Sequence, residues 1–150
     1  MLKILHNIRD ADYNQITCVY QETINTIGSE RVFYDDWCTF FQYRSAFLAV
    51  WESEGRYISC VRGELYRDGV LLSCLETVPD QRRMGYALLM LKALIFELRN
   101  TTALPIYVHV DNKNKASLGL HKKLGFKKYF DYARLVDGTV TSQFCTMKYE

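Results

Sequence analysis

The chain has 150 residues, 49% of them hydrophobic and 24% charged, a globular balance that excludes disorder. At ~100–200 residues per domain the length leaves room for a single domain over 1–150. Eight glycines and two prolines exclude collagen-like and low-complexity chains, and a net charge of +2 gives no reason to expect a nucleic-acid partner.

Charge is uneven: residues 1–75 carry 7 basic and 10 acidic side chains, residues 76–150 carry 12 and 7. A small anionic ligand is therefore expected on the second half. Cys18, Cys38, Cys60, Cys74 and Cys145 are odd in number, widely spaced and without a CxxC pair. That fits mostly buried free thiols in a reducing cytosol, and no metal site is expected. Met1–His6 has neither the apolar stretch nor the cleavage site of a signal peptide, and no run of ~20 apolar residues occurs. A cytoplasmic protein that does not span a membrane is the expectation.

In chain order, residues 2–8 read as a strand. Asp12 caps a helix with Gln15 as its capping-box partner; Ile16, Val19, Tyr20, Ile24 and Ile27 form its apolar stripe, and Gly28 ends it. An aromatic-rich second helix is expected over 30–44. Three strands follow, 47–52, 57–66 and 70–78, as an antiparallel meander with turns at Ser53-Glu54-Gly55-Arg56 and Arg67-Asp68-Gly69. A long helix runs from 83 to 99 with Met84, Ala87, Leu88, Leu91, Leu94, Ile95 and Leu98 on one face. Then come a buried strand, 106–110, a helix from Asn114 to Gly125, and two strands, 127–135 and 142–149, joined through Asp137-Gly138.

The segment Leu71–Leu88 carries the chemistry. A strand feeds a turn, and a helix opens at Arg82-Arg83-Met84-Gly85-Tyr86-Ala87-Leu88. N–H groups at a helix start have no helical acceptors and, with the helix dipole, attract anions. Gly85 admits a ligand close to the backbone, and Arg82 and Arg83 add positive charge. Neither a Walker loop nor a dinucleotide fingerprint is present. A plain helix start with solvated arginines has the same residues.

Arg82–Ala87 matches R/Q-x-x-G-x-G/A after a strand, and Asn114–Phe126 matches N-x-x-A/S-x-x-L-Y-x-x-x-G-F. The pair resembles the GNAT superfamily of acetyl-CoA-dependent N-acetyltransferases, over roughly residues 45–150. The resemblance implies an α+β fold: a mixed sheet of about seven strands, splayed near its middle, flanked by about four helices. It implies acetyl-CoA as co-substrate and a small-molecule or peptide amine as acceptor, with a homodimer left open. Carried over by position, the pantetheine arm would pair with the strand ending at Thr77-Val78, and Val78 N–H would stabilise the oxyanion. N–H groups from Arg83 to Leu88 would hold the pyrophosphate. Asn114 and Ser117 would lie beside the pantetheine, Asn114 also serving as a helix cap.

His121 stands where the family pattern has tyrosine, and would protonate the leaving thiolate through a ring N–H. Glu76 is the best-placed carboxylate for a base; binding a cationic substrate or pairing with an arginine are the other readings. Tyr34, Asp35, Asp36 and Trp37 lie where the family walls its acceptor site, and an amphipathic helix with Trp37 in the core explains them too. Lys122, Lys123, Lys127 and Lys128 fit a 3′-phosphate or a solvated basic face. Peptide acetylation, or acyl-CoA binding without turnover, are the alternative functions.

Overall fold

The protein, described here from a computed structural model, is defined at residues 1–43 and 45–150. Asp12 accepts the Gln15 N–H at 3.3 Å and opens α1 (Tyr13–Val19). Gln15 does not close a capping box. Its Nε2 donates to Gly55 C=O at 3.0 Å and its Oε1 accepts the Tyr57 N–H at 2.6 Å, pinning α1 to the sheet. The single helix expected up to Gly28 is in fact two, because the chain bends at Tyr20 (φ −96°, ψ 22°) before α2 (Gln21–Ile27). The bend sinks Tyr20 to 1% exposure and lets its hydroxyl donate to Cys74 C=O at 2.6 Å. Ser29 then caps α3 (Glu30–Phe40). The helix expected over 30–44 therefore stops earlier; Arg44 lies outside the described residues.

The strands are β1 (Leu2–Leu5), β2 (Phe47–Ser53), β3 (Arg56–Tyr66), β4 (Gly69–Thr77), β5 (Ile106–Asp111), β6 (Lys127–Phe130), β7 (Ala133–Arg134), β8 (Val140–Thr141) and β9 (Phe144–Tyr149). Seven form one mixed sheet in the order β1-β2-β3-β4-β5-β9-β6, and β7 and β8 form a separate ribbon. That ribbon, turning through Asp137-Gly138, breaks the strand expected over 127–135 into β6 and β7, whereas the strand expected over 142–149 forms as β9. Glu54 and Gly55 both take positive φ, the requirement of a two-residue hairpin loop between twisted strands. In the next turn Arg67, not Gly69, takes positive φ. Gly69 is needed for proximity: a Cβ there would lie 2.2 Å from Pro105 O.

α4 (Tyr86–Thr101) and α5 (Lys115–Leu124) cover one face of the sheet. Met90, Leu91, Leu94, Ile95 and Leu98 are buried there, whereas Met84 precedes the helix and is 65% exposed, outside the expected stripe. The other face packs Ile16, Tyr20, Phe33, Trp37 and Phe40 against Leu48, Val50 and Cys60. Alternation along β2 separates the cores, with Ala49 facing the first and Leu48 and Val50 the second. The cysteines are unpaired, and only Cys60 and Cys145 are buried.

Two irregularities in β4 open the sheet at its centre. Arg62 pairs with Ser73 and Cys60 with Glu76, so β4 carries one extra residue, a bulge at which Cys74 takes φ +54°. β4 also pairs with β5 in parallel only as far as Leu72↔Val108. Beyond that pair both strands continue, to Thr77 and Asp111, and they splay apart.

Candidate active site

Three cavities share a lining residue near the point where β4 and β5 part. One, about 320 Å³, fills the cleft between the strands and reaches Ser73, His109, Asn114 and His121. The second, about 270 Å³, runs past Thr77, Arg82, Ala87, Asn114 and Leu120 toward the start of α4. The third, about 260 Å³, lies on the α1–α3 face among Tyr20, Phe33, Trp37, Arg62 and Cys74. Glu76 lines all three. It can do so because the bulge at Cys74 turns the end of β4 toward α2.

Glu76 Oε1 accepts from Thr23 Oγ1 at 3.3 Å, and its Oε2 lies 3.6 Å from Arg82 Nη2, too far for a hydrogen bond. Burial pushes the Glu76 carboxyl above its ordinary value, and Arg82 and Thr23 pull it partly back. The other Arg82 nitrogens are committed: Nε donates to Thr77 C=O at 3.1 Å and Nη1 to Glu22 at 2.7 Å. Arg82 is thus folded against the site instead of standing free at its mouth.

Helix α4 begins later than residue 83, for a local reason. Arg83 (φ +62°) and Gly85 (φ +86°) both take left-handed conformations, so helical geometry starts only at Tyr86. The first intrahelical bond is Leu89 N–H to Gly85 C=O, at 3.0 Å. The N–H groups of Tyr86, Ala87 and Leu88 are therefore left without helical acceptors. A Cβ at Gly85 would meet nothing within 4 Å, so the approach to them is open. These features fit a pyrophosphate, and the adjoining cavity fits an extended arm running into the β4–β5 cleft.

Val78 does not serve as an oxyanion donor. Its N–H already donates to Ile58 C=O at 2.9 Å, and the side chain is 1% exposed. Alternation along β4 points Thr77 the other way, as its C=O bonded to Arg82 shows, so Thr77 N–H faces the open side.

Asn114 caps α5, its Oδ1 accepting the Ser117 N–H at 3.0 Å, and it borders both the cleft and the neighbouring cavity. Ser117 borders both as well. His121, 5% exposed, packs edge-on to Phe126. Its Nδ1 lies 2.8 Å from Ser117 C=O, which can only accept, so Nδ1 carries the proton. Burial lowers its pKa below the ordinary value, against the partial support of that carbonyl. The neutral ring thus presents a bare Nε2, an acceptor. The expected donation of a ring N–H by the neutral form is corrected: that N–H is spent on Ser117.

Of the residues expected at an acceptor wall, Trp37 and Asp36 line the aromatic cavity. Tyr34 and Asp35 do not. Tyr34 stacks edge-on with Tyr13, and Asp35 pairs with Arg31 one turn away, both on the outer face of α3. Lys128 pairs with Asp131 at 3.0 Å, and Lys123 borders a separate groove with Lys92 and Arg99. His109 lies half-buried, edge-on to Tyr66. Sequence reasoning missed Tyr20, Thr23, Arg62 and Cys74. Only Arg62 left a readable signal, an arginine directly after the apolar pair Cys60-Val61 in the middle of a strand.

Among the described residues no group of three or more His, Cys, Asp or Glu side chains is arranged to hold a metal ion, and no helix is long and apolar enough to cross a membrane.

The sequence model of the Acetyltransferase (GNAT) family matches residues 5–126. No curated protein matches the sequence. Among solved structures, the ribosomal-protein-S18-alanine N-acetyltransferase of Escherichia coli aligns with TM-score 0.67 and 19% identity, over 99% of this chain and 93% of that one. The paia N-acetyltransferase of Thermoplasma acidophilum, solved in complex with coenzyme A, aligns with TM-score 0.68 and 12% identity, over 100% and 99%. An N-acetyltransferase of Staphylococcus aureus aligns with TM-score 0.67 and 18% identity, over 100% and 98%. At these identities the likeness is one of fold.

Proposed function

The chain belongs to the GNAT family of acetyltransferases, and on that footing we propose that it transfers an acetyl group from acetyl-CoA to a small-molecule amine by direct attack in a ternary complex. The observation that carries the reading is the position of Glu76, the one residue shared by the groove, the cleft and the aromatic cavity.

Bound acetyl-CoA supplies a thioester whose thiol, with an ordinary pKa of ~8.5, leaves readily. The N–H groups of Tyr86, Ala87 and Leu88 would hold its diphosphate, and Asn114 and Ser117 would flank its arm. Thr77 N–H would donate to the oxyanion that develops in the cleft. An amine of the lysine kind, pKa ~10.4, arrives charged and must lose a proton before it attacks. Glu76, raised by burial, accepts that proton. His121 offers only a lone pair, so no side chain protonates the departing thiolate; the second proton shed by the acylated nitrogen goes to it directly or through solvent. The aromatic cavity, about 260 Å³ between α2, α3, β3 and β4, is of a size that favours a small amine over a peptide. A carboxylate at the meeting of the three cavities favours turnover over mere CoA binding.

The test is thiol release from acetyl-CoA across a pH series. A carboxylate base works only when ionised, so wild-type rate should rise with pH through the Glu76 pKa. Glu76→Gln should lose roughly 100- to 10,000-fold and abolish that acidic limb. An unchanged limb in Glu76→Gln would remove Glu76 as the base.

A further inference from the structure

Arg62 lies in the middle of β3 with its side chain 13% exposed. Its guanidinium stacks on Phe40, 3.8 Å from the ring centroid, and lies 5.0 Å from that of Trp37. Nη1 donates to Asp36 Oδ2 at 2.8 Å. Nε is buried and, among the described residues, has no hydrogen-bond partner. Nη2 makes no hydrogen bond among them either. The unused nitrogens are thus Nε and Nη2, which share one edge of the guanidinium. That edge is the fork that binds a carboxylate through two parallel hydrogen bonds. A buried donor without an acceptor is uncommon in folded proteins and calls for a partner. Asp36, on the opposite side, holds the arginine in place without filling the fork.

Arg62 lines the aromatic cavity, and so does Glu76. Glu76 pairs across the ladder with Cys60, two residues from Arg62 on the same face of β3, about 6.5 Å along the strand. One cavity therefore presents a cationic fork and, one step along the strand, a carboxylate. Tyr20, Phe33 and Trp37 line the same cavity.

We propose that the acceptor is an α-amino acid with an apolar side chain, its carboxylate on the free Nε–Nη2 edge of Arg62 and its amine at Glu76. The aromatic walls take the side chain. The Glu76 end rests on the acetyl-transfer reading above, whereas the Arg62 end stands on the geometry of the cavity.

Calorimetric binding to the CoA-saturated protein separates the two. The probes are leucine and phenylalanine, their carboxamides, and the corresponding decarboxylated amines. At least one free amino acid should bind wild type at least about tenfold more tightly than its amide or amine, as charge-assisted hydrogen bonds imply. Arg62→Met should erase the preference and Arg62→Lys should keep part of it. Because Arg62 is packed in the core, the comparison of ligands on wild type stands even if a variant fails to fold. Equal binding of amide or amine, or no binding of either amino acid at millimolar concentration, overturns the proposal. Arg62-dependent binding without thiol release would uphold this inference and sink the acetyl-transfer reading.

Discussion

Gly85 allows the anion-binding loop to be tested with the fold as its own control. Its φ of +86° is left-handed, and a Cβ would meet nothing within 4 Å. Any substitution therefore carries a conformational cost alone, about 1–2 kcal/mol for an L residue in that region. For a chain of this length that is a fall of about 2–8 °C in Tm, the same for Gly85→Ala and Gly85→Glu. The two variants differ in charge. A glutamate beside the open N–H groups of Tyr86–Leu88 faces the nearer, singly charged phosphate of the diphosphate; at a separation of roughly 7 Å that is a repulsion on the order of 2 kcal/mol at surface-like dielectric, or about thirtyfold in affinity. Melting with acetyl-CoA at 100 times the wild-type Kd reads this directly. Wild type and Gly85→Ala should each gain about 2.7 kcal/mol of stability from the ligand. Gly85→Glu should gain about a third of that. A full gain in Gly85→Glu would refute the placement of the diphosphate at the start of α4.

Three further outcomes are expected. His121→Phe should keep thiol-release rates within roughly threefold of wild type at pH 8, because the neutral ring has no free N–H to give; a hundredfold loss would restore an acid role. Tyr20→Phe removes the 2.6 Å hydrogen bond to Cys74 C=O and leaves a half-buried carbonyl unpaired, which should cost about 1–3 kcal/mol in thermal or urea unfolding. An unchanged midpoint would mean that the bulge does not depend on that hydroxyl. Burial raises the folded carboxyl of Glu64, against the pull of Arg62. Its favourable, protonated form is available below the unfolded pKa and is lost as pH rises through the folded one. Glu64→Gln should therefore melt above wild type at pH 7, and the gap should close as pH falls toward ~4. A gap independent of pH would contradict the assignment.

What the sequence made legible was local. The meander β2–β4 sits within a residue or two of its expected bounds, because alternation, Glu54-Gly55 and Asp68-Gly69 are short-range signals. Helix α5 is likewise bounded by Asn114 and Gly125, whose cap and left-handed roles need no distant partner. The segment proposed to hold the diphosphate was visible as residue types in order, although its helix begins at Tyr86 because Arg83 and Gly85 are both left-handed. What escaped depended on distant contacts. The break at Tyr20 serves a bond to a residue 54 positions away. Nothing about cysteine predicts φ +54° at Cys74, yet that bulge sets the register through which Val78 N–H is taken by Ile58 and Glu76 is turned toward α2. The His121 tautomer depends on a carbonyl one turn back, a geometry that residue identity does not state. The aromatic cavity combines Tyr20 at the α1–α2 junction with α2, α3, β3 and β4, and no periodicity in any one of them describes it.

The central claim is that the groove, the cleft and the aromatic cavity form one path with Glu76 at its junction. A crystal structure with acetyl-CoA bound tests it most directly. The account predicts the diphosphate on the N–H groups of Tyr86–Leu88, the arm between β4 and β5, and the thioester beside Glu76 and Thr77. A diphosphate seated instead in the groove between Lys92, Arg99 and Lys123, with the β4–β5 cleft empty, would contradict it.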